Sequence, residues 1–242
     1  MSTDKQNTVP QAILDSFGGD KNDWHQHSNG GGWVKNTAIV ADAVYVGPNA
    51  VVYGSAVVFG NARVYGSAVV FGNAQVFGNA QVSGNAQVYG NAQVYGNAQV
   101  YGNAQVSGSA WVSDNAQVSD NAQVSDNAQV SGNAWVSGNA QVSGNAVVSG
   151  NAVVFGNAWK ASPLQIQGTK HFVCHSTAGY IGIGCHVHTI QDWIDRYRVI
   201  GRAERYTKDE IAEYAAYIRL VALADMRIFG TQYDLSKLGG EQ

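Results

Sequence analysis

The stretch Ala92-Gln93-Val94-Tyr95-Gly96-Asn97 is one copy of a six-residue unit that decides the fold. From Val34 to Val154, valine occupies every sixth position, 21 times in succession. Two residues before the valine an alanine recurs from Ala38 onward, with Val44 as its single exception. An Ala-x-Val step places both apolar groups on one face of a short strand. The Gly-Asn pair that follows supplies a bend, since both residues tolerate positive φ.

Two arrangements of these strands differ in where the repeat places its apolar side chains. In a hairpin meander, Gln93 would share a face with valines such as Val88, and no clean apolar face would survive. If each bend instead turns the chain by a third of a circle, three units close an 18-residue coil and every Ala and Val points inward. Coils stacked about 4.8 Å apart would make a rod on the order of 34 Å long. The repeat therefore predicts a mainly β protein, a triangular parallel β-helix of about 7 coils.

The same 18-residue period aligns the corners of successive coils. One corner is predicted to carry a hydrogen-bonded ladder of amides, formed by Asn61, Asn79, Asn97, Asn115, Asn133 and Asn151. Asp114, Asp120 and Asp126 fall one per corner of a single coil, too far apart to hold one metal ion. We interpret them as a solvated ring that limits association between molecules.

The segment 33–161 resembles the hexapeptide-repeat, left-handed parallel β-helix family, which has an aliphatic residue where Val52 lies and a small one where Ala56 lies. The left-handed sense is implied by this resemblance. The family's frequent glycine at the second position of the unit is here Gly54, at the third. The Gly-Asn-Ala-Gln-Val units, with the run from Pro163 to Phe229, also look like hexapeptide-repeat proteins of tailed phages and prophages. That resemblance implies the cytoplasm of a bacterial host as the location.

The changes in composition divide the chain into four segments: 1–32 as a cap and linker, 33–161 as the β-helix, 162–232 as a C-terminal α+β module, and 233–242 as a tail. Within the first segment, Pro10–Phe17 is predicted to form a short helix, and 27–32 reads as a mobile linker. Trp24 and Trp33 are expected to cover the open edge of the first coil.

The module after Pro163 is predicted to contain short strands at 164–167, 170–175 and 180–188. Thr189 caps a predicted helix that runs to about Glu204. The capping box Thr207-Lys-Asp-Glu210 opens a second helix that runs to about Phe229. The second helix carries two apolar stripes, of which one is expected to pack on the sheet and first helix and the other on another subunit.

Composition excludes several functional classes. The charged fraction is 13% and the net charge −3, with no basic run, which argues against binding to nucleic acid. No apolar stretch is long enough for a membrane span, and the N-terminus lacks the pattern of a signal peptide. Two cysteines cannot form a disulfide framework for a chain of this length.

Enzymatic activity is the less favoured interpretation. Acyltransferases that share the hexapeptide fold use a catalytic histidine on the prism or on a projecting loop, and carbonic anhydrases of the γ class use three prism histidines for zinc. Residues 34–160 contain no histidine and no loop insertion, so no catalytic residue is assigned. The alternative function is an acyltransferase-like enzyme that uses an acyl-CoA or nucleotide donor at an inter-subunit cleft. Its acid–base groups would come from His25, His27 or the segment 171–188.

Outward aromatic residues mark the N-terminal half of the predicted rod and sort into three columns. They are interpreted either as the product of repeat duplication or as an oligomerising surface, which would make the chain a homotrimer. The members are Tyr53, Phe59, Tyr65, Phe71, Phe77, Tyr89, Tyr95 and Tyr101.

Histidine and cysteine are concentrated in residues 171–188. Strand alternation places His171 and His175 on one face, opposite Cys174, and places His186 and His188 together, opposite Cys185. If the strands pair, these four histidines converge as a candidate zinc set, although their spacing matches no zinc signature and no cofactor is expected. A small-ligand pocket is the other interpretation, formed by His171, His175, Tyr180, His186, His188, Trp193 and Arg196.

Together these observations predict a non-enzymatic scaffold and interaction protein of phage or prophage type. A rigid, trimeric prism would present the C-terminal module to a host protein or a small ligand. One specific form is a viral protein that blocks or sequesters a host defence component.

Overall fold

The computed structural model describes residues 9–156, 158–159 and 162–238. Helix α1 (Gln11–Phe17) and a 3-10 helix (Lys21–Asp23) precede 23 short strands, β1 to β23. A four-stranded sheet, helices α2 (Ile190–Ala203) and α3 (Lys208–Phe229), and a 3-10 helix (Leu235–Leu238) follow. Among the described residues, no helix is long and apolar enough to cross a membrane.

The 23 strands form three sheets in which successive neighbours from β2 onward are parallel and three strands apart in the chain, as a three-sided coil requires. The first sheet contains β1 (Trp24–Gln26), β2 (Trp33–Lys35), β5 (Val51–Val52), β8 (Val69–Val70), β11 (Gln87–Val88), β14 (Gln105–Val106), β17 (Gln123–Val124), β20 (Gln141–Val142) and β23 (Ala158–Trp159). The second contains β3 (Ile39–Val40), β6 (Val57–Val58), β9 (Gln75–Val76), β12 (Gln93–Val94), β15 (Trp111–Val112), β18 (Gln129–Val130) and β21 (Val147–Val148). The third contains β4 (Tyr45–Val46), β7 (Arg63–Val64), β10 (Gln81–Val82), β13 (Gln99–Val100), β16 (Gln117–Val118), β19 (Trp135–Ser137) and β22 (Val153–Phe155).

The predicted β-solenoid of about seven coils is confirmed. Strands 18 residues apart pair in register, for example Val94 with Val112. The repeated valines are fully buried in one continuous core with the repeated alanines, except Ala38 and Val40, which are half-buried in the first coil. Trp159 takes the inward position beside Val142 and closes this core with a large side chain.

The corners of the coil depend on glycine and asparagine in different ways. The corner glycines adopt positive φ, such as +71° at Gly90, whereas the asparagines beside them do not. A Cβ atom on Gly90 would lie 3.0 Å from backbone atoms of Gly108 in the next coil, so the corners also need the absence of a side chain. The asparagine backbone N–H donates to the next coil, as from Asn91 to the Gly108 carbonyl at 2.7 Å.

The predicted asparagine ladder is present. From Asn61 to Asn151, each side-chain amide donates to the amide oxygen one coil further on, at 3.0–3.3 Å. A second corner carries the same ladder from Asn85 to Asn139.

The N-terminal segment covers two of the three strand edges at the start of the solenoid. Strand β1 pairs antiparallel with β2, and Trp24 and Trp33 are buried, as expected for a cap. The interpretation of 27–32 as a mobile linker is wrong, because this loop is hydrogen-bonded to the edge of β4: Val46 N–H donates to Asn29 O, and Gly32 N–H to Val46 O, both at 2.9 Å. Strand β3 is the end strand of its sheet, and Ile39 is 67% exposed there.

The C-terminal domain packs on the last coil. Its antiparallel sheet has the order β24 (Gln165–Gln167), β25 (Phe172–Thr177), β26 (Tyr180–Ile183) and β27 (His186–Thr189). The Gln165 side chain satisfies the free edge of β21 as a neighbouring strand would. Its amide nitrogen donates to Val147 O at 2.8 Å, and its oxygen accepts from Ser149 N–H at 2.9 Å. The Cys174 thiol, on the face that points at the solenoid, lies 3.7 Å from Val153 O.

Both predicted C-terminal helices are confirmed with their caps. Thr189 accepts from Asp192 N–H at the start of α2, and Thr207 and Glu210 form the capping box of α3. The prediction of one strand over 180–188 is wrong, since the chain turns back at Gly184, where φ is +58°. A Cβ atom there would lie 2.6 Å from the His171 ring.

Candidate functional site

The solenoid wall carries two continuous stacks of aromatic rings. Phe71 lies between Tyr53 and Tyr89, and Phe77 between Phe59 and Tyr95, each at 4.9 Å between centroids and within 7° of parallel. The coil repeat explains the stacking, because the same position recurs once per strand spacing.

The third column is not a stack. Tyr65 and Tyr101 are separated by Ser83, and their hydroxyls donate to the Gln81 and Gln117 side chains at 3.1 and 3.2 Å. Of the predicted surface residues only Phe59 is strongly exposed, at 42%. Stacking covers ring faces in the other two columns, and Tyr65 and Tyr101 are half-buried beside the glutamines that they contact. The sequence analysis missed Trp111 and Trp135, which are 43% and 44% exposed. Their place in the outward position before the valine is the signal that could have identified them.

The three aspartates of one coil have a local structural role. Asp114, Asp120 and Asp126 occupy the corner position that is glycine in all other units from Gly54 to Gly156, with φ of 58–59°. Each carboxylate accepts a hydrogen bond from the backbone N–H of the glycine one coil further on, at 2.9–3.0 Å. These bonds tie the coil to its successor, and the three side chains do not converge on a common point.

A small cavity lies between the C-terminal sheet and the two helices. The His171 ring stacks on Tyr206, and its Nδ1 lies 2.5 Å from the Tyr206 hydroxyl. The cavity measures about 30 Å³ and is bordered on its polar side by His171, Cys185, His186 and Glu204. A space of this size holds one or two water molecules, which is too small for a nucleotide or coenzyme A.

Neighbouring groups hold the residues on the polar side of this cavity in place. His186 Nε2 lies 3.0 Å from a Glu204 oxygen, and the Lys170 ammonium donates to the carbonyls of Glu204 and Arg205 at the end of α2. The Tyr214 hydroxyl donates to His171 O at 2.8 Å. Burial, followed by the Tyr214 hydroxyl and the carboxylates of Glu204 and Glu210, raises the pKa of Tyr206, so its hydroxyl stays protonated at neutral pH.

A second polar centre is built around two completely buried side chains, Asp225 and His175. The Asp225 carboxylate accepts hydrogen bonds from His175 Nε2, Gly179 N–H and the Tyr233 hydroxyl at 2.8 Å and from the Thr231 hydroxyl at 2.5 Å. Because a carboxylate only accepts, the proton between Asp225 and His175 belongs to Nε2. Trp159 and Phe229 pack edge-on against the His175 ring, at 5.0 and 5.8 Å between centroids. This centre joins the sheet, α3 and the end of the solenoid.

Burial and hydrogen bonds oppose each other in setting the pKa values of this pair. Burial lowers the pKa of His175, and the hydrogen bond and charge of Asp225 reverse only part of this effect, so the ring is neutral at pH 7. Burial raises the pKa of Asp225, but the donors from Thr231, Gly179, Tyr233 and His175 outweigh it and hold the pKa below its usual value. Burial also raises the pKa of Cys174 to about 12, which makes that thiol unreactive.

The candidate ligand residues do not form one pocket. His171, His186 and Trp193 border the small cavity, although the Trp193 indole is occupied by a hydrogen bond to Ile181 O. His175 belongs to the Asp225 centre, and Tyr180 packs edge-on against Phe155. Arg196 lies exposed on α2, away from these groups.

The four histidines considered as a zinc set are also separated. His186 and His188 stack with their centroids 5.9 Å apart, as predicted for neighbours on one strand face, while His175 is sequestered by Asp225. Within the part of the chain that the structure describes, no three His, Cys, Asp or Glu side chains are placed to hold a metal ion.

A second concave surface, wider than the small cavity, lies elsewhere on the C-terminal domain. A groove of about 860 Å³ runs between α2 and α3 and ends at Leu238. The charged residues along it, among those the structure describes, are Arg198, Arg202, Lys208, Arg219 and Asp209. The sequence analysis missed this groove, because its basic residues are distributed over two helices and form no run.

Comparison with known families agrees with the solenoid. A family model described as the YdcK beta-solenoid repeat matches residues 58–72, 74–90, 98–114, 122–138, 128–144 and 140–156. With the seven-coil geometry, these matches support assignment of the solenoid to a repeat β-helix family. Searches of curated proteins and of solved structures return no match.

Proposed function

We propose that the chain is a non-enzymatic scaffold and interaction protein in which a rigid β-solenoid presents the C-terminal domain. The observation that supports this most strongly is the single Val and Ala core, which extends from Val34 in the first coil into the C-terminal domain through Trp159 and Cys174. Such packing couples the rod and the domain, so that the domain is held at a fixed distance from the N-terminal cap.

The assembly and setting belong to the same proposal. A homotrimer would bury the exposed edge of the Phe59, Phe77 and Tyr95 stack and the nearby Trp111, all on the second sheet. Large exposed apolar side chains commonly mark contact surfaces. In a phage or prophage setting, the chain would act in the cytoplasm of its bacterial host, and the C-terminal domain would bind a host protein, including a component of host defence.

Distances between spin labels test the rod. Ser55, Asn127 and Asn145 lie exposed on one corner column, with Asn127 four and Asn145 five coils beyond Ser55. In a Cys185→Ser background, the Ser55/Asn145 pair should give a narrow distribution near 24 Å and the Ser55/Asn127 pair one near 19 Å, at about 4.8 Å per coil. Broad distributions, or distances that do not scale with coil number, would contradict a rigid spacer.

Light scattering tests the assembly. The expected mass is three times 25.6 kDa, and Phe77→Glu should give the monomer, while Ser131→Glu, in the same column but distant from the rings, should not. A monomeric wild type would contradict the trimer only, because the spin-label distances test the rod separately. Thermal stabilisation by coenzyme A would favour the acyltransferase alternative instead.

A further inference from the structure

The groove between α2 and α3 has an apolar floor that no described element covers. Ala212, Ala216 and Leu220 recur at four-residue spacing on α3 and therefore form one stripe, with Ala215 beside it. Leu220 is 51% exposed, and Leu223, one further turn along, is 48% exposed. Arg219 fixes the far end of the groove, since its guanidinium donates to the carbonyls of Leu235 and Leu238 at 2.9 and 3.4 Å.

The charges along this groove are strongly unbalanced. Among the described residues that line it, four are cationic and one, Asp209, is acidic, although the whole chain has a net charge of −3. Arg198 and Arg219 already have partners within the chain, which leaves Arg202 and Lys208 for a bound molecule. Arg202 comes from the last turn of α2 and Lys208 from the first turn of α3, and both are exposed. The groove is thus basic along its sides and apolar at its base.

We propose that this groove binds an acidic amphipathic helix of a partner protein. The proposal rests on the proposed function, because it names the chemistry that the presented domain recognises. Small alanines allow a helix to approach closely, the exposed leucines contact its apolar face, and the exposed Arg202 and Lys208 pair with its carboxylates. A second copy docked groove to groove would bring like charges together, and the apolar base offers nothing to a phosphate backbone.

Three synthetic peptides and the full chain test the proposal. The probe is a fluorescein-labelled 18-residue helix with Leu at i, i+3, i+4 and i+7 on one face and Glu on the other. One control peptide replaces Glu by Lys, and the second replaces Leu by Ala. Anisotropy titrations at low and high salt should show binding of the acidic Leu peptide, weaker binding as salt rises, and at least tenfold weaker binding of both controls.

Paired variants locate the site. Arg202→Glu/Lys208→Glu and, separately, Leu220→Asp should each weaken binding of the acidic peptide at least tenfold. Arg196→Glu/Arg227→Glu changes the net charge equally on exposed positions of the same helices outside the groove, and it should retain the wild-type affinity. Circular dichroism checks that each variant is folded.

Several results would overturn the proposal. These are no binding of the acidic peptide, equal binding of the Lys peptide, equal loss in the control variant, or displacement by a 20-nucleotide single-stranded DNA. Binding that appears only after residues 239–242 are deleted would assign the groove to the chain's own tail and overturn it as well. None of these results alters the spin-label distances along the solenoid, so failure of the groove and failure of the scaffold are distinguishable.

Discussion

The folded protein should tolerate replacement of the buried Asp225 carboxylate by an amide, in Asp225→Asn, but not by a methyl group, in Asp225→Ala. In Asp225→Asn, the amide oxygen can accept from Gly179 N–H and His175 Nε2, while its NH2 group donates to the hydroxyls of Thr231 and Tyr233, which can rotate to accept. In Asp225→Ala, the Gly179 and His175 donors lose their acceptor in a fully buried site. At about 2 kcal/mol for each unsatisfied donor, the expected loss is about 4 kcal/mol, against about 1–2 kcal/mol for the amide.

Urea unfolding followed by near-ultraviolet circular dichroism, with hydrogen exchange of residues 172–190, measures this difference. Asp209→Asn, an exposed carboxylate in the first turn of the same helix, serves as the control and should change stability by less than about 0.5 kcal/mol. If Asp225→Ala unfolded at the wild-type urea concentration, or if Asp225→Asn were equally damaging, the hydrogen-bonded centre would not hold the domain together.

Three further predictions concern pH, the corners and the rings. Acidification should lower the melting temperature of the C-terminal domain in two stages. Below pH 6.5, His175 is protonated in the unfolded chain but stays neutral in the folded protein, where its pKa is lowered. Below pH 3.8, Asp225 is likewise protonated in the unfolded chain before it is protonated in the folded protein. His175→Gln should remove the first stage in thermal melts at pH 7.5 and 5, and an unchanged first stage would assign it to another group. Gly90→Ala should destabilise the solenoid in urea by more than the roughly 1–2 kcal/mol left-handed penalty, because its Cβ meets Gly108. Gly230→Ala, in left-handed backbone (φ +73°, ψ 15°) with nothing within 4 Å of the added Cβ, should lose only that penalty, and equal losses would contradict the steric argument. Phe77→Ala removes two stacked pairs and should cost about 1–3 kcal/mol in the same assay. A loss no larger than that of Ser131→Ala would mean that the rings do not stabilise the rod.

The solenoid was predictable because its period is short, exact and repeated. One inward valine in every six residues allows only a coil whose sides all face a common interior, and neighbours 18 residues apart then pair in register. The corners were only partly predictable, since Gly and Asn both tolerate positive φ in isolation. Glycine adopts the positive φ because this position approaches the next coil closely, as Gly90 approaches Gly108, and that contact between coils leaves no room for a side chain.

The C-terminal sites were much less predictable, because they depend on contacts between distant segments. Asp225 lies 50 residues from His175 in the chain, and its donors come from a turn, a strand and the segment after α3. Strand alternation predicted correctly that Cys174 faces away from His175, but it could not show that His175 was already occupied by Asp225. The turn at Gly184 was missed because the residues on both sides of it favour strands.

Oxidative cross-linking along one corner tests the inward-facing, three-sided coil most directly. In a Cys185→Ser background, Asn79→Cys/Asn97→Cys places two thiols one coil apart on the same corner, about 4.8 Å between strands and within disulfide range. Asn79→Cys/Asn91→Cys is closer in sequence but places the thiols on different corners. Rapid, complete disulfide formation in the first pair and none in the second is the predicted result, and preferential cross-linking of the second pair would contradict the coil.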